Sequence, residues 1–438
     1  MGRPFASFLP GLVLACSTGA ISPAQSWVLD RVSPVVVMDS GAVLDLDHAG
    51  DLIALGIARA DGGSVHVLHK DQGGADQWGT LSTLISSEPW FGHAVAMHGS
   101  FLAIGSPGAQ ENGAYSGQVL VAAIDPFDQL QPMTILDTLH PPGSVTGDRA
   151  GYDLVWNGDT LLVGVPGRPG TWNTGSVWAW SVHSGSAILL GALPSDPFGS
   201  ALPFDRWFGA RMALDTGRGL IVAAPYSGFN GSQPSELVGS LLTYAPVSVG
   251  PIGWALDTAF AFVDYGANCQ PVRQQWGVHG LAMDDGVLVA GSFSSSTWGA
   301  PSGLVPWPRP AEETCASCAL YILERSSSGW ELDSSLFITP GPTERHVPGA
   351  WSLDQRELAI TTLDALNTTW STVFRRRDPG QMGSWAQTED LPATGPCALP
   401  IGPLLLRDDV LLRTILARGT GCSMPIGQMR VDIEVWRR

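Results

Sequence analysis

Short apolar runs broken by glycine-rich punctuation recur along this chain. The stretch FGHAVAMHGSFLAIGSPG, residues 91–108, sets the pattern: an aromatic–Gly pair, an apolar run, a tight Gly–Ser turn, a second apolar run and a Gly-Ser-Pro-Gly close. Two short runs joined by a tight turn read as a β-hairpin. The same stretch realigns with AGYDLVWNGDTLLVGVPG from Ala150, FGARMALDTGRGLIVAAPY from Phe208 and WGVHGLAMDDGVLVAGSF from Trp276. Looser copies begin at Gly41, Pro348 and Ile401, which makes seven. The opening glycines of the four clear copies, Gly92, Gly151, Gly209 and Gly277, are separated by 59, 58 and 68 residues. A unit near that length holds four strands and their loops.

Each unit continues alike. A variable loop leads to a small residue and a third strand, as in GQVLVAAI at 117–124, GSVWAWSV at 175–182 and CALYILER at 318–325. A fourth strand often opens on Trp: GWALDTAF at 253–260, GWELDSSL at 329–336 and SWAQTEDL at 384–391. No sustained 3.6-residue period appears, so helices are not expected. Seven four-stranded units without helices predict an all-β, seven-bladed β-propeller. The strands read as nearly continuous Val/Leu/Ala/Trp runs, as sheets covered on both faces require. The expected blades cover 37–90, 91–146, 147–203, 204–271, 272–343, 344–397 and 398–438. The last copy lacks a Trp-led fourth strand, and SWVLDRV at 26–32 supplies one at the other end of the chain. An N-terminal strand over 26–33, containing Trp27, is therefore expected to complete the seventh blade and close the ring.

Composition narrows the function classes. The chain has 438 residues, a net charge of −17 and a single lysine, Lys70. A basic face for nucleic acid is excluded, because nothing could replace phosphate counterions. The segment MGRPFASFLPGLVLACSTGAISPAQS places Arg3 before an apolar run, Phe8 to Ala15, which is a secretory signal pattern over 1–24. Two cleavage readings stay open: before Cys16 as a lipidated residue, or after Ser22-Pro23-Ala24. No later apolar run is long enough for a transmembrane helix. The expectation is an exported, monomeric protein of the cell surface, the outer membrane or the extracellular space.

Phe91-Gly92, Gly105-Ser106-Pro107, Gly164-Val165-Pro166, Phe208-Gly209 and Ala223-Ala224-Pro225, with their spacing, resemble the FG-GAP repeat of integrin α-chain propellers and of many bacterial secreted proteins. The resemblance implies a seven-bladed propeller. It also implies a ligand on the face that carries the loops between strands two and three and those leading into each next blade. Many such repeats hold Ca²⁺ on an Asp-x-Asp-x-Asp-Gly loop. The nearest match is Asp45-Leu46-Asp47-His48-Ala49-Gly50-Asp51, which lacks the central acid and is short of ligands for six to eight oxygens. Asp45, Asp47 and Asp51 are thus a weak Ca²⁺ candidate against an ordinary solvated turn, and no other cofactor is implied.

The register also groups the cysteines. Cys397 and Cys422 fall in loops leading into and within blade seven, and Cys269, Cys315 and Cys318 in the equivalent loops of blade five. Disulfides Cys397–Cys422, and Cys269 with Cys315 or Cys318, suit an exported protein; pairing of Cys315 with Cys318 stays open.

No Gly-x-Ser-x-Gly, His-Glu-x-x-His or phosphate-cradling loop is present. No catalytic residue is assigned. His93 and His279 fall two positions into inner strands, where they could line the channel. The suggestive groups are loop aromatics and arginines on the implied ligand face: Trp172, Phe204, Arg206, Trp207, Tyr226, Phe229, Trp298, Trp307 and Arg309. Such residues anchor protein or carbohydrate ligands, though long loops also bury aromatics in small cores of their own. The expected function is a non-enzymatic binding or adhesion module. The alternatives are a polysaccharide-active propeller enzyme and a structural surface protein without a small ligand.

Overall fold

The computed structural model describes residues 27–38, 42–74, 77–128, 130–167, 175–183, 185–194, 207–216, 218–224, 240–248, 252–260, 264–265, 271–272, 274–294, 318–326, 329–338, 344–355, 357–364, 369–377, 385–392, 403–418 and 429–438. Seven four-stranded antiparallel sheets form a ring, six of them with strands in chain order from the channel outward. Blade 2 is typical, with strands Val95–His98, Phe101–Ser106, Gln118–Ile124 and Met133–Leu139. Blade 1 spans 42–86, blade 3 154–192, blade 4 211–260, blade 5 274–338 and blade 6 344–392. Blade 7 takes three strands from 404–437, and its fourth is Val28–Met38.

That fourth strand runs antiparallel to Met429–Arg437, from Val28 opposite Arg437 to Met38 opposite Met429. It extends beyond the expected 26–33 because its partner offers a full nine-residue edge. Pro34 lies at one of its two irregularities, and an edge strand or a bulge is where a residue without an N–H is tolerated. Trp27 precedes the strand and stacks on Phe374 of blade 6 at 5.1 Å. The Arg438 guanidinium caps that pair, 4.3 Å above the Trp27 ring, and is held by bidentate bonds to Glu357 at 2.6 and 2.8 Å.

The apolar cores lie between blades rather than in one centre. Leu52, Val65, Phe91 and Leu102 join blades 1 and 2. Ala103, Val121, Leu161 and Trp180 join blades 2 and 3. Equivalent clusters join every later pair, and Leu412, Val431, Ile53 and Leu55 close the ring from blade 7 to blade 1. Second and third strands are consequently buried on both faces, as in Leu52–Arg59. The outermost strands, such as Gly79–Ser86, alternate instead, because one of their faces meets solvent.

The repeat signature acquires a physical meaning here. Phe91 and Phe208 are buried between sheets, and Gly92, Gly151 and Gly209 adopt φ of 80°, 82° and 90°. Their carbonyls press against the second-strand glycine of the preceding blade. A Cβ on Gly56, Gly105 or Gly164 would lie 2.1, 2.0 or 2.1 Å from the oxygen of Gly92, Gly151 or Gly209. At these three interfaces two glycines let neighbouring blades touch backbone to backbone.

Three expectations change. Asp45 and Asp47 are not in a turn: both lie in the inner strand Ala42–Ala49, and the turn follows at Gly50-Asp51. His93 precedes its inner strand, which begins at Val95. A small hairpin, Asp264–Tyr265 with Pro271–Val272, occupies part of the segment read as a plain loop leading into blade 5.

Candidate functional site

Each inner strand is a sheet edge facing the channel, so its outward N–H and C=O groups lack a neighbouring strand. Side chains bridging between adjacent blades serve instead. Asp45 Oδ2 accepts the Val95 N–H at 2.8 Å, and Asp47 Oδ2 accepts the Met97 N–H at 2.7 Å. Trp156 Nε1 donates to the Ala96 carbonyl at 3.0 Å. Asp153 accepts from Met212 N–H at 2.6 Å, and Asp215 from Gly286 N–H at 3.0 Å. Asp284 accepts from Gln355 N–H, and Asp354 from Asp408 N–H at 2.8 Å. Arg407 completes the circuit by donating to Asp47 Oδ1 at 2.9 Å and the His48 carbonyl at 2.8 Å. Every blade boundary thus carries a side-chain staple.

Burial governs the acidity of these groups. It pushes the Asp45 carboxyl up to about 7, with repulsion from Asp153 and Asp47 adding to it, against the opposing pull of the Val95 and Leu46 amides. Burial likewise raises Asp153 to about 6, despite Arg211 beside it, and Asp354 to about 6. Asp45 has both oxygens engaged, since Oδ1 accepts the Leu46 N–H at 2.9 Å. The carboxylates proposed from sequence as a weak Ca²⁺ loop are therefore spent on blade-to-blade bonds, and Asp51 stands exposed in the following turn. Among the described residues no group of three or more His, Cys, Asp or Glu gathers as metal ligands.

The end of the channel opposite the turns between first and second strands is different in kind. Trp90, Arg149 and Trp207 occupy one equivalent position, immediately before the residue–Gly pair that opens blades 2, 3 and 4. All three have left-handed backbones, with φ of 65°, 61° and 66°. That conformation is uncommon for large side chains and marks a turn held by its surroundings. Part of the hold is visible: the Arg149 N–H bonds to the Tyr115 carbonyl and the Trp90 N–H to the Arg59 carbonyl. The loop carrying Tyr115 is the two–three loop of blade 2, so both loop types meet on this face.

These turns assemble a run of rings across three blades. Trp90 lies 5.9 Å from His93, His93 lies 4.5 Å from Tyr152, and Tyr152 lies 5.7 Å from Trp207. Two guanidiniums sit over the run, Arg211 at 5.6 Å from the Tyr152 ring and Arg149 at 5.7 Å from that of Trp207, in cation–π range. His93, Tyr152 and Trp207 are 4%, 8% and 7% exposed, whereas Trp90, Arg149 and Arg211 are half-buried and reach solvent. Burial, then the nearby Arg211 and Arg149 charges, lower His93 to about 3. The ring is neutral at ordinary pH, and its buried Nδ1 has no partner among the described residues.

Of the ligand-face residues proposed from sequence, Trp207 is the one the structure describes, and it belongs to this run. Trp172, Phe204, Arg206, Tyr226, Phe229, Trp298, Trp307 and Arg309 lie outside the described residues, as do Cys16, Cys269, Cys315, Cys397 and Cys422. Cys318 is described by its backbone alone, as the first residue of the strand Cys318–Ser326. Sequence reasoning passed over Trp90, Arg149, Tyr152 and Arg211. The available signal was the register: a large residue precedes the pair in three consecutive copies.

No protein-family model matches the chain, and no curated protein is similar to it in sequence. Solved structures resemble it in shape. A chain of the S. cerevisiae Dbp5–Nup159–Gle1 assembly aligns at a TM-score of 0.45 and 10% identity, over 94% of this chain and 95% of that one. Chaetomium thermophilum Sqt1, bound to the N-terminus of ribosomal protein L10, aligns at 0.44 and 11%, over 93% and 100%. A Mycobacterium tuberculosis puromycin-hydrolysing peptidase aligns at 0.46 and 12%, over 89% of this chain and 52% of that one. The propeller assignment itself rests on the strand order.

Proposed function

We propose that the chain is a non-enzymatic, exported binding or adhesion module of the FG-GAP propeller type. Its ligand sits on the face formed by the two–three loops and the loops leading into each blade. The observation that carries this reading is the run from Trp90 to Trp207. Three bulky residues, Trp90, Arg149 and Trp207, are held in left-handed turns at one repeat position, and with Arg211 they place two guanidiniums over rings at the mouth of the channel. Strained, over-determined positions of this kind concentrate at ligand sites. Export rests on the Arg3 and Phe8–Ala15 signal pattern. The non-enzymatic reading draws support from Asp45 and Asp153, whose raised pKa values would suit acid–base chemistry but whose carboxyl oxygens are bound to backbone amides.

An array of cell-surface proteins and glycans probed with the domain tests the reading. Binding should be lost with Trp90→Ala and Tyr115→Ala on the mouth face. It should persist with Asp51→Ala and His98→Ala at the opposite ends of blades 1 and 2. Melting curves would establish that all four variants fold. Binding that ignores the first pair, or follows the second, refutes the assignment of the face.

A further inference from the structure

The two arginines of the mouth are displayed in a particular way for a chain of net charge −17. The Arg211 side chain is about 30% exposed, with one face over Tyr152. Its polar contacts all run through Nη1, which donates to the Ala210 carbonyl at 3.3 Å and lies 3.9 Å from Asp153 Oδ1. Nε and Nη2 have no partner among the described residues. That pair of donors forms a fork able to grip both oxygens of a carboxylate. Arg149 is held over Trp207 on the neighbouring turn. Beneath them lies the buried His93 ring, whose pKa is lowered chiefly by burial and further by both charges.

Resting on the reading of this face as a binding face, we infer that Arg149 and Arg211 form a carboxylate-binding site for an acidic peptide segment of a partner protein. A sugar acid shares the carboxylate, but saccharides gain much of their affinity by stacking on open aromatic faces. Here Tyr152 and Trp207 are buried, each with a guanidinium over it. Asp153 beside Arg211 disfavours a doubly charged phosphate more than a singly charged carboxylate. Glutamate or aspartate side chains of an extended peptide suit the fork and demand no stacking surface.

Calorimetric titration of the full chain with N-acetylhexaglutamate, trigalacturonate and hexalysine tests this. Hexaglutamate should bind, and Arg211→Gln or Arg149→Gln should each weaken it about tenfold at unchanged melting temperature, as loss of a charged hydrogen-bonding partner implies. Arg211→Lys, which keeps the charge and removes the fork, should also weaken binding, and it carries the test if the glutamine variant fails to fold. No hexaglutamate binding at millimolar concentration, binding indifferent to these substitutions, or tighter binding of trigalacturonate would overturn the inference. If hexaglutamate fails while array ligands still depend on Trp90 and Tyr115, the binding face stands and only its carboxylate specificity falls.

Discussion

Replacing Asp45 with Asn should flatten the dependence of stability on pH. In the folded chain the Asp45 carboxyl is pushed from 3.8 to about 7, chiefly by burial. Between those values the folded state holds a proton that the unfolded chain releases. The resulting stabilisation is fully present below about pH 4 and is lost as pH rises through 7. The gap corresponds to about 4 kcal/mol at one pKa unit per 1.36 kcal/mol. Asp45 keeps some contact with the channel, and allowing for that solvent brings the effect to about 2 kcal/mol between pH 5 and pH 8. Asp153 and Asp354, raised to about 6, act in the same direction. The Asn variant cannot titrate, and its single oxygen satisfies one of the Val95 and Leu46 amides, so it loses about 1 kcal/mol at acid pH. Urea unfolding followed by tryptophan fluorescence at pH 5 and pH 8 measures both terms. The wild-type chain should be more stable at pH 5, and the variant should show about 2 kcal/mol less of that difference. An unchanged pH difference in the Asn variant would refute the account of Asp45 as a buried, proton-holding staple.

Three further outcomes are expected. Gly105→Ala should cost roughly 2–4 kcal/mol in denaturant titration, because its Cβ would meet the Gly151 oxygen at 2.0 Å and part blades 2 and 3. Gly99→Ala, also at a glycine but with open space around it, should cost only about 1 kcal/mol from its φ of 56°; the reverse order would contradict the interface argument. A chain starting at residue 39 should lose its cooperative melt by circular dichroism, since it leaves Met429–Arg437 as an open edge and removes Trp27 from Phe374. Arg413→Ala should cost about 3–5 kcal/mol, because it strands the fully buried Glu434 that Arg413 Nε now bonds at 2.7 Å. Arg413→Met with Glu434→Leu should recover much of that loss in the same denaturation assay.

Much of the architecture was legible because its devices are local. Gly92 with Gly105, and Gly151 with Gly164, recur at fixed spacing since these blades need the same left-handed turn and the same bare Cα. The closure of the ring was legible too: a blade lacking its fourth strand at one terminus, and a matching strand at the other, implied that the N-terminal strand pairs with the last one, as Val28–Met38 does with Met429–Arg437. Asp45 and Asp47 were misplaced because spaced acids near a glycine look alike in a turn and in an edge strand. Only the approach of Val95 and Met97 from the next blade distinguishes the two.

The site was less legible for the same kind of reason. Arg149 and Tyr152 lie about one repeat before Trp207 and Arg211, and no local rule connects a residue of one blade to its neighbour across the boundary. By itself the sequence determined the number of blades, their strand order and the closure of the ring, because periodicity, turn glycines and short apolar runs encode contacts within one unit. The tertiary structure alone decided which side chains face each other across blades. Charge, burial and cation–π geometry arise there, from how closely two backbones approach once both glycines are in place.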